Sequence, residues 1–128
     1  MSAARVLVVE DNAMNRRLVR DVLQYGGHEV LEAGSVDEGR ERLRQVTPDI
    51  VLLDIQIPGG GGEKLLREIR EAPALARVPV VALTAFAMQG DRERFLSAGF
   101  DGYLSKPIDV RTFCEDVGTF LATGRVAP

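Results

Sequence analysis

The sequence contains little cysteine and little histidine, and both shortages restrict what the protein can be. Its 128 residues include one cysteine, Cys114, and one histidine, His28. One cysteine cannot form an internal disulfide, which indicates a reducing compartment and predicts a cytoplasmic location. His28 is interpreted as a surface residue at the start of a strand, and Cys114 as a packing residue of a helix. Neither side chain is expected to carry the protein's chemistry.

Long apolar runs and clusters of basic residues are also absent. No stretch approaches the roughly 20 apolar residues that span a bilayer, and no signal-peptide pattern opens the chain. The formal charge of −3 and the lack of a basic run argue against nucleic-acid binding. With no internal repeat or linker, the sequence predicts one domain over residues 1–124 and a short tail over residues 125–128.

What the sequence does contain is a regular alternation of two patterns. Short apolar runs typical of buried strands occupy residues 5–9, 29–33, 50–54, 79–84 and 101–105. Apolar residues at helical spacing follow each run. Because two neighbouring parallel strands need a covering crossover helix, the alternation predicts an α/β fold, a five-stranded parallel sheet with helices on both faces.

Single residues predict where the helices begin. Asn12 is expected to cap the first helix, and Ser35 opens a capping-box pattern before the second. Asp109 is expected to cap the last helix, which would place Val110 on its inward stripe. Met14 either extends the core stripe of the first helix or docks a partner's helix.

The run from Ile50 to Leu53 leads directly into Asp54, and Pro58 follows shortly after. A short, continuous apolar run is typical of a parallel strand buried on both faces. A carboxylate inside such a strand would be costly to desolvate, so Asp54 should lie at its C-terminal end. In open α/β sheets that end is where ligands bind.

Four strands end in polar groups that can converge at this edge: Glu10 with Asp11, then Asp54, Thr84 and Lys106. Neighbouring carboxylates repel one another, and a hard divalent cation relieves the repulsion; oxygen ligands favour Mg²⁺ over Zn²⁺. A carboxylate, a metal, a hydroxyl and an ammonium are what phosphoryl transfer to an aspartate requires. The sequence thus predicts a phosphorylated Asp54 with Thr84 and Lys106 as assisting groups.

The chain resembles the receiver domain of the two-component response-regulator family over essentially its whole length. The resemblance rests on four motifs in order, residues 8–12, 52–58, 83–85 and 104–107. It implies the flavodoxin-like (βα)5 receiver fold. Residues 84–91 are similar to single-domain receivers of the DivK type and to receivers attached to hybrid kinases.

The resemblance implies roles for the site residues. Asp54 would accept phosphate from a phosphohistidine on a sensor histidine kinase or a histidine phosphotransfer protein. Asp11 and Asp54 would bind Mg²⁺ directly, together with the backbone carbonyl of Gln56, and Glu10 would act through water. Lys106 would contact the phosphoryl group.

The resemblance also implies a switch and its readout. Thr84 would move toward the phosphoryl group and Tyr103 would turn inward, which reshapes the face formed by the fourth helix, fifth strand and fifth helix, where an effector binds. The Lys106–Pro107 peptide is a candidate for the cis form. A monomer or a weak homodimer is expected.

Two features depart from the family pattern. Gly60 and Gly61 replace the methionine and the small or acidic residue that receivers usually carry, so the loop of residues 59–62 is expected to be mobile and to stiffen on Mg²⁺ or phosphate binding. Phe86, with Gln56, lies where receivers tune hydrolysis. Its large ring predicts a slowly decaying phosphoaspartate.

Other functions are weighed against this one. A haloacid-dehalogenase-like phosphohydrolase needs an aspartate two residues after its nucleophile, where this chain has Gln56. A flavodoxin-like cofactor binder needs a hydroxyl-rich phosphate loop after the first strand, where Glu10 and Asp11 would repel the phosphate. A receiver excised from a hybrid kinase and a phosphate sink remain open, although the short leader and tail favour a free-standing protein. An enzyme with an external substrate is not expected.

Overall fold

The computed structural model describes residues 3–57, 61–85 and 91–124. The strands are β1 Arg5–Val9, β2 Glu29–Ala33, β3 Ile50–Asp54, β4 Val80–Thr84 and β5 Gly102–Ser105. The helices are α1 Ala13–Tyr25, α2 Val36–Gln45, α3 Gly62–Glu71, α4 Asp91–Ala98 and α5 Phe113–Thr123, with a 3₁₀ turn at Pro73–Leu75.

All pairings in the sheet are parallel, in the order β2-β1-β3-β4-β5. The predicted five-stranded parallel sheet is therefore confirmed. The strand order reverses between β1 and β3, and this switch point is where open α/β sheets bind ligands. Register places Val9 beside Leu53 and Asp54 beside Leu83, so the strands end at one common edge.

The core consists of two apolar layers, one on each face of the sheet. Val6, Val8, Ile50 and Leu52 pack on one face, against residues of α1 and α5. Alternate residues of the same strands face the other layer, which includes buried side chains of α2, α3 and α4. Burial on both faces explains why these strands read as continuous apolar runs.

The predicted N-cap of α1 is confirmed, and the predicted capping box of α2 is confirmed in part. The Asn12 side chain accepts a hydrogen bond from the Asn15 N–H at 3.0 Å, which is an N-cap. Ser35 Oγ accepts from the Glu38 N–H at 3.1 Å, but the Glu38 carboxylate binds the Gly34 N–H rather than that of Ser35. The second half of the capping box is thus shifted by one residue.

The prediction for the last helix was wrong by several residues. Helix α5 begins at Phe113, and Asp109 instead forms a turn in which its side chain accepts from the Arg111 N–H at 3.0 Å. The Asp109 carbonyl accepts from the Thr112 and Phe113 N–H groups. Val110 belongs to this turn and is 54% exposed, so it does not lie on the inward stripe.

Met14 is 82% exposed, so the interpretation that it extends the core stripe of α1 is wrong. Within the ranges that the structure describes, no helix has the length and apolar character needed to cross a membrane.

Candidate functional site

Asp54 is the last residue of β3 and is 3% exposed. Its Oδ1 accepts a hydrogen bond from the Gln56 backbone N–H at 2.9 Å, which fixes the carboxylate plane against the turn after the strand. Its Oδ2 lies 2.9 Å from Lys106 Nζ. The strand-end position thus holds a buried carboxylate that has one backbone donor and one cationic donor.

The end of β1 supplies the next two carboxylates. Glu10 is 1% exposed, and its Oε1 accepts from the Asn12 N–H at 3.2 Å. Asp11, the following residue, is exposed at the start of the loop to α1. One carboxylate is therefore in the interior and the other faces solvent.

Lys106 comes from the end of β5 and links the two buried carboxylates. Its Nζ lies 2.9 Å from Asp54 Oδ2 and 3.0 Å from Glu10 Oε2. The Lys106 N–H donates to the Thr84 carbonyl at 2.8 Å, which holds the end of β5 beside β4. The Lys106–Pro107 peptide is cis, as the resemblance implied.

Burial and neighbouring charged groups shift the pKa values of two groups in the site. Burial raises the pKa of Glu10, and the hydrogen bond to the Asp54 carboxyl raises it further, whereas Lys106 opposes both. Burial alone would lower the pKa of Lys106, but the hydrogen bonds to Asp54 and Glu10 outweigh burial and raise it. The ammonium therefore stays charged, although it balances only one of the negative charges around it.

The acidic residues are close enough to share one cation. Glu10, Asp11 and Asp54 each offer a carboxylate oxygen, and these oxygens all lie within 4.8 Å of one another. Three carboxylates beside one ammonium leave net negative charge, and the donors are oxygens alone. This donor set fits a hard divalent ion such as Mg²⁺.

Thr84 and Tyr103 lie on the neighbouring strands β4 and β5. Thr84 ends β4 and is 1% exposed. Tyr103 is half-buried, and its ring centroid lies 5.5 Å from that of Phe95 on α4. Residue 86, the predicted hydrolysis-tuning phenylalanine, and Pro58 lie outside the described residues.

Two of the four loop glycines, Gly61 and Gly62, have defined backbone roles, whereas Gly59 and Gly60 lie outside the described residues. Gly61 has a φ of 78° and directly precedes α3. Gly62 is the first residue of that helix, and a Cβ there would collide with the Asp54 carbonyl oxygen. Gly62 thus lets α3 begin directly against the strand that carries the buried carboxylate.

Sequence reasoning also missed Arg16, whose side chain donates to the Glu10 carbonyl at 2.8 Å. The only signal in the sequence was its position on α1, four residues after the N-cap. The structure places Glu10, Asp11, Asp54 and Lys106 in one cluster, with Thr84 on the adjoining strand and Tyr103 farther along β5.

The chain is similar to known proteins of one family. The family model for the response regulator receiver domain matches residues 6–117. The chain is 39% identical over 116 residues to the polar-differentiation response regulator DivK of Brucella ovis, covering 91% of this chain and 94% of that protein.

Two solved structures are similar in fold. The chemotaxis response regulator CheY4 of Vibrio cholerae superposes with a TM-score of 0.86 at 24% identity, covering 92% of this chain and 98% of that one. The receiver domain of a signal transduction histidine kinase from Syntrophus aciditrophicus gives a TM-score of 0.83 at 26% identity, covering 94% of this chain and 92% of that one.

Proposed function

The chain belongs to the response regulator receiver family, and from that premise we propose that Asp54 accepts a phosphoryl group from phosphohistidine in a Mg²⁺-dependent reaction. The observation that carries the proposal is the position of Lys106 Nζ, within 3.0 Å of both Asp54 and Glu10 at the C-terminal edge of the sheet. An ammonium held there can stabilise the phosphoryl oxygens during transfer.

The chemistry follows from the groups present. A carboxylate oxygen of Asp54 forms the new bond to phosphorus while the bond from phosphorus to the imidazole nitrogen breaks, and the imidazole keeps the electron pair. Glu10, Asp11 and Asp54, with the Gln56 carbonyl, would hold Mg²⁺, which when bound supplies positive charge against the phosphoryl oxygens. Lys106 needs only to exchange its contact with Asp54 Oδ2 for a phosphoryl oxygen.

The switch that we propose runs from Thr84 to Tyr103. A phosphoryl oxygen on Asp54 offers the Thr84 hydroxyl a strong acceptor. Because Tyr103 packs on Phe95, any turn of its ring changes the packing of α4. The face of α4, β5 and α5 is therefore the proposed effector surface.

The proposed role is that of a switch, with phosphorylation and dephosphorylation of itself as its only reactions. Gln56 stands where a haloacid-dehalogenase-like enzyme needs its second aspartate, and hydrolysis of small phosphoesters would favour that alternative.

A receiver that acts inside a hybrid kinase, or as a phosphate sink, remains the second candidate, because the chain also resembles a kinase's receiver. The free thiol of Cys114 fits the cytoplasmic location that we propose.

Metal removal tests the proposal. Incubation with acetyl phosphate and Mg²⁺ is expected to add one phosphoryl group, measured by intact mass spectrometry. Replacing Mg²⁺ by EDTA should prevent labelling, because the carboxylate cluster then repels the incoming anion, and added Mg²⁺ should restore it. Equal labelling in EDTA contradicts the metal dependence, and no labelling under either condition contradicts the function.

The donor is proposed to dock beside the site on the first turns of α1. Met14 is 82% exposed and Leu18 is 41% exposed. Leu18 lines a small pocket together with Lys106, Pro107 and Ile108. Exposed apolar side chains at the rim of the acceptor site offer a contact surface to a phosphohistidine-bearing partner.

A charge placed on this surface is expected to slow transfer from the protein donor alone. Met14→Glu should reduce the transfer rate about tenfold, equivalent to about 1.4 kcal/mol, without changing labelling by acetyl phosphate. The measurement uses whichever histidine kinase, in a purified panel, phosphorylates the wild-type chain fastest. Tyr25→Glu, at the other end of α1 and 96% exposed, is the matched control. Equal slowing in both variants would refute docking at this surface.

A further inference from the structure

Every polar group of Glu10 has a partner in the structure. Its N–H donates to the Ala33 carbonyl at 3.0 Å, and its carboxylate accepts from the Asn12 N–H and from Lys106 Nζ. Its carbonyl oxygen accepts from a guanidinium nitrogen of Arg16 at 2.8 Å. The first three partners are backbone groups or the site lysine, so Arg16 is the side chain that the mechanism leaves unexplained.

The guanidinium of Arg16 is itself held from two sides. Its Nε lies 3.4 Å from Glu32 Oε1, on β2, and the Arg16 side chain is 24% exposed. A Cβ added at Gly34 would lie 3.2 Å from the same nitrogen that contacts Glu10. Gly34 therefore leaves just enough room for the guanidinium, and Glu32 sets the direction from which it approaches.

The bond to the Glu10 carbonyl constrains Asp11 as well. The Glu10 carbonyl and the Asp11 N–H belong to one peptide unit, which is planar. Fixing the carbonyl oxygen therefore fixes the Asp11 nitrogen and Cα, and so the point from which the exposed Asp11 carboxylate reaches the other two carboxylates. An unsupported peptide at the end of β1 could rotate and move that carboxylate away.

We propose that Arg16 is a positioning residue for the cation site, acting through the Glu10–Asp11 peptide and not through contact with the cation. The inference depends on the proposed Mg²⁺ binding. It goes beyond that function because it assigns a role in metal affinity to a cationic side chain, whose charge by itself opposes a bound cation.

Loss of the Arg16 charge and loss of its positioning contact change the Mg²⁺ affinity in opposite directions, so the direction of the change shows which one dominates. By Coulomb's law, removing a positive charge near a cation site strengthens cation binding. Loss of positioning weakens it. Arg16→Ala and Arg17→Ala remove the same charge from adjacent residues of α1, and Arg17 is exposed to solvent. The pair separates the two effects.

The experiment is a Mg²⁺ titration of each variant, followed by isothermal calorimetry or by amide NMR shifts, with thermal unfolding measured in EDTA. Arg16→Ala is expected to raise the Mg²⁺ Kd about tenfold, the lower end of the effect of outer-shell partners. Arg17→Ala should leave the Kd unchanged or slightly lower. Arg16→Lys keeps the charge but lacks separate nitrogens for Glu10 and Glu32, so a partial recovery is expected.

Gly34→Ala provides a second variant that keeps the arginine. Its added methyl group should displace the Arg16 guanidinium and raise the Mg²⁺ Kd, but by less than Arg16→Ala does. An Arg16→Ala protein with the Kd of Arg17→Ala, whatever its melting temperature in EDTA, overturns the inference and leaves the proposed function intact. A wild-type chain that binds no Mg²⁺ overturns both.

Discussion

Asp54→Asn is expected to eliminate phosphoryl acceptance from acetyl phosphate and from phosphohistidine alike. The amide has nearly the shape of the carboxylate and can still accept the Gln56 N–H that now binds Oδ1. It cannot serve as the nucleophile, and it offers Lys106 no charge. Because the defect lies in the acceptor atom, no donor and no concentration of Mg²⁺ should overcome it.

The measurement is intact mass after incubation with either donor, followed by peptide mapping of the wild-type product. Asp37→Asn, an aspartate whose side chain is 85% exposed on α2, is the control and should be labelled as wild type. Circular dichroism should find both variants folded. Labelling of Asp54→Asn at an undiminished rate would place the acceptor at another residue and contradict the proposed function.

Arg70→Met is expected to lower the free energy of unfolding by about 3–5 kcal/mol, the usual cost of removing one member of a buried ion pair. Arg70 lies 2.6 Å from Asp101, whose side chain is fully buried, and it also donates to the Gly99 and Val78 carbonyls. The same Asp101 oxygen accepts from the Val80 N–H at 2.8 Å. Methionine would remove the Arg70 guanidinium and its hydrogen bonds while the Asp101 carboxylate stays buried.

Urea denaturation at neutral pH measures the decrease in the free energy of unfolding of Arg70→Met. A fall in Tm of roughly 10–20 °C should accompany it. Arg40→Met is the matched control: Arg40 also forms two hydrogen bonds to one carboxylate, that of Glu68, but both side chains are about a third exposed, so solvent screens the pair. It should destabilise the protein far less. Equal losses in the two variants would contradict the role of burial.

A double variant tests whether the buried Asp101 carboxylate causes this loss of stability. Asp101→Asn added to Arg70→Met should recover part of the lost stability, because it replaces the buried carboxylate by a neutral amide that can still accept the Val80 N–H. Phosphorylation per folded molecule should be unchanged, since the Arg70–Asp101 pair contacts the beginnings of β4 and β5, at the edge opposite Asp54. The pair therefore supports the fold and not the chemistry.

The fold was predictable because its signals are local. A short apolar run that ends in Asp54 indicates a buried parallel strand whatever surrounds it, and the capping oxygen of Asn12 indicates where α1 begins. Local signals failed at α5, because the turn at Asp109 uses the same hydrogen-bonding capacity that an N-cap uses.

The amino-acid sequence by itself determined that acidic, hydroxyl and ammonium groups end four parallel strands and can meet, since strand ends in such a sheet share one edge. Only the tertiary structure decided which contacts complete the site. Lys106 joins two carboxylates, Arg16 holds the peptide between Glu10 and Asp11, and Gly62 admits α3 against Asp54. Long side chains rotate about several bonds, so their final contacts depend on neighbours far away in sequence, which no local pattern encodes.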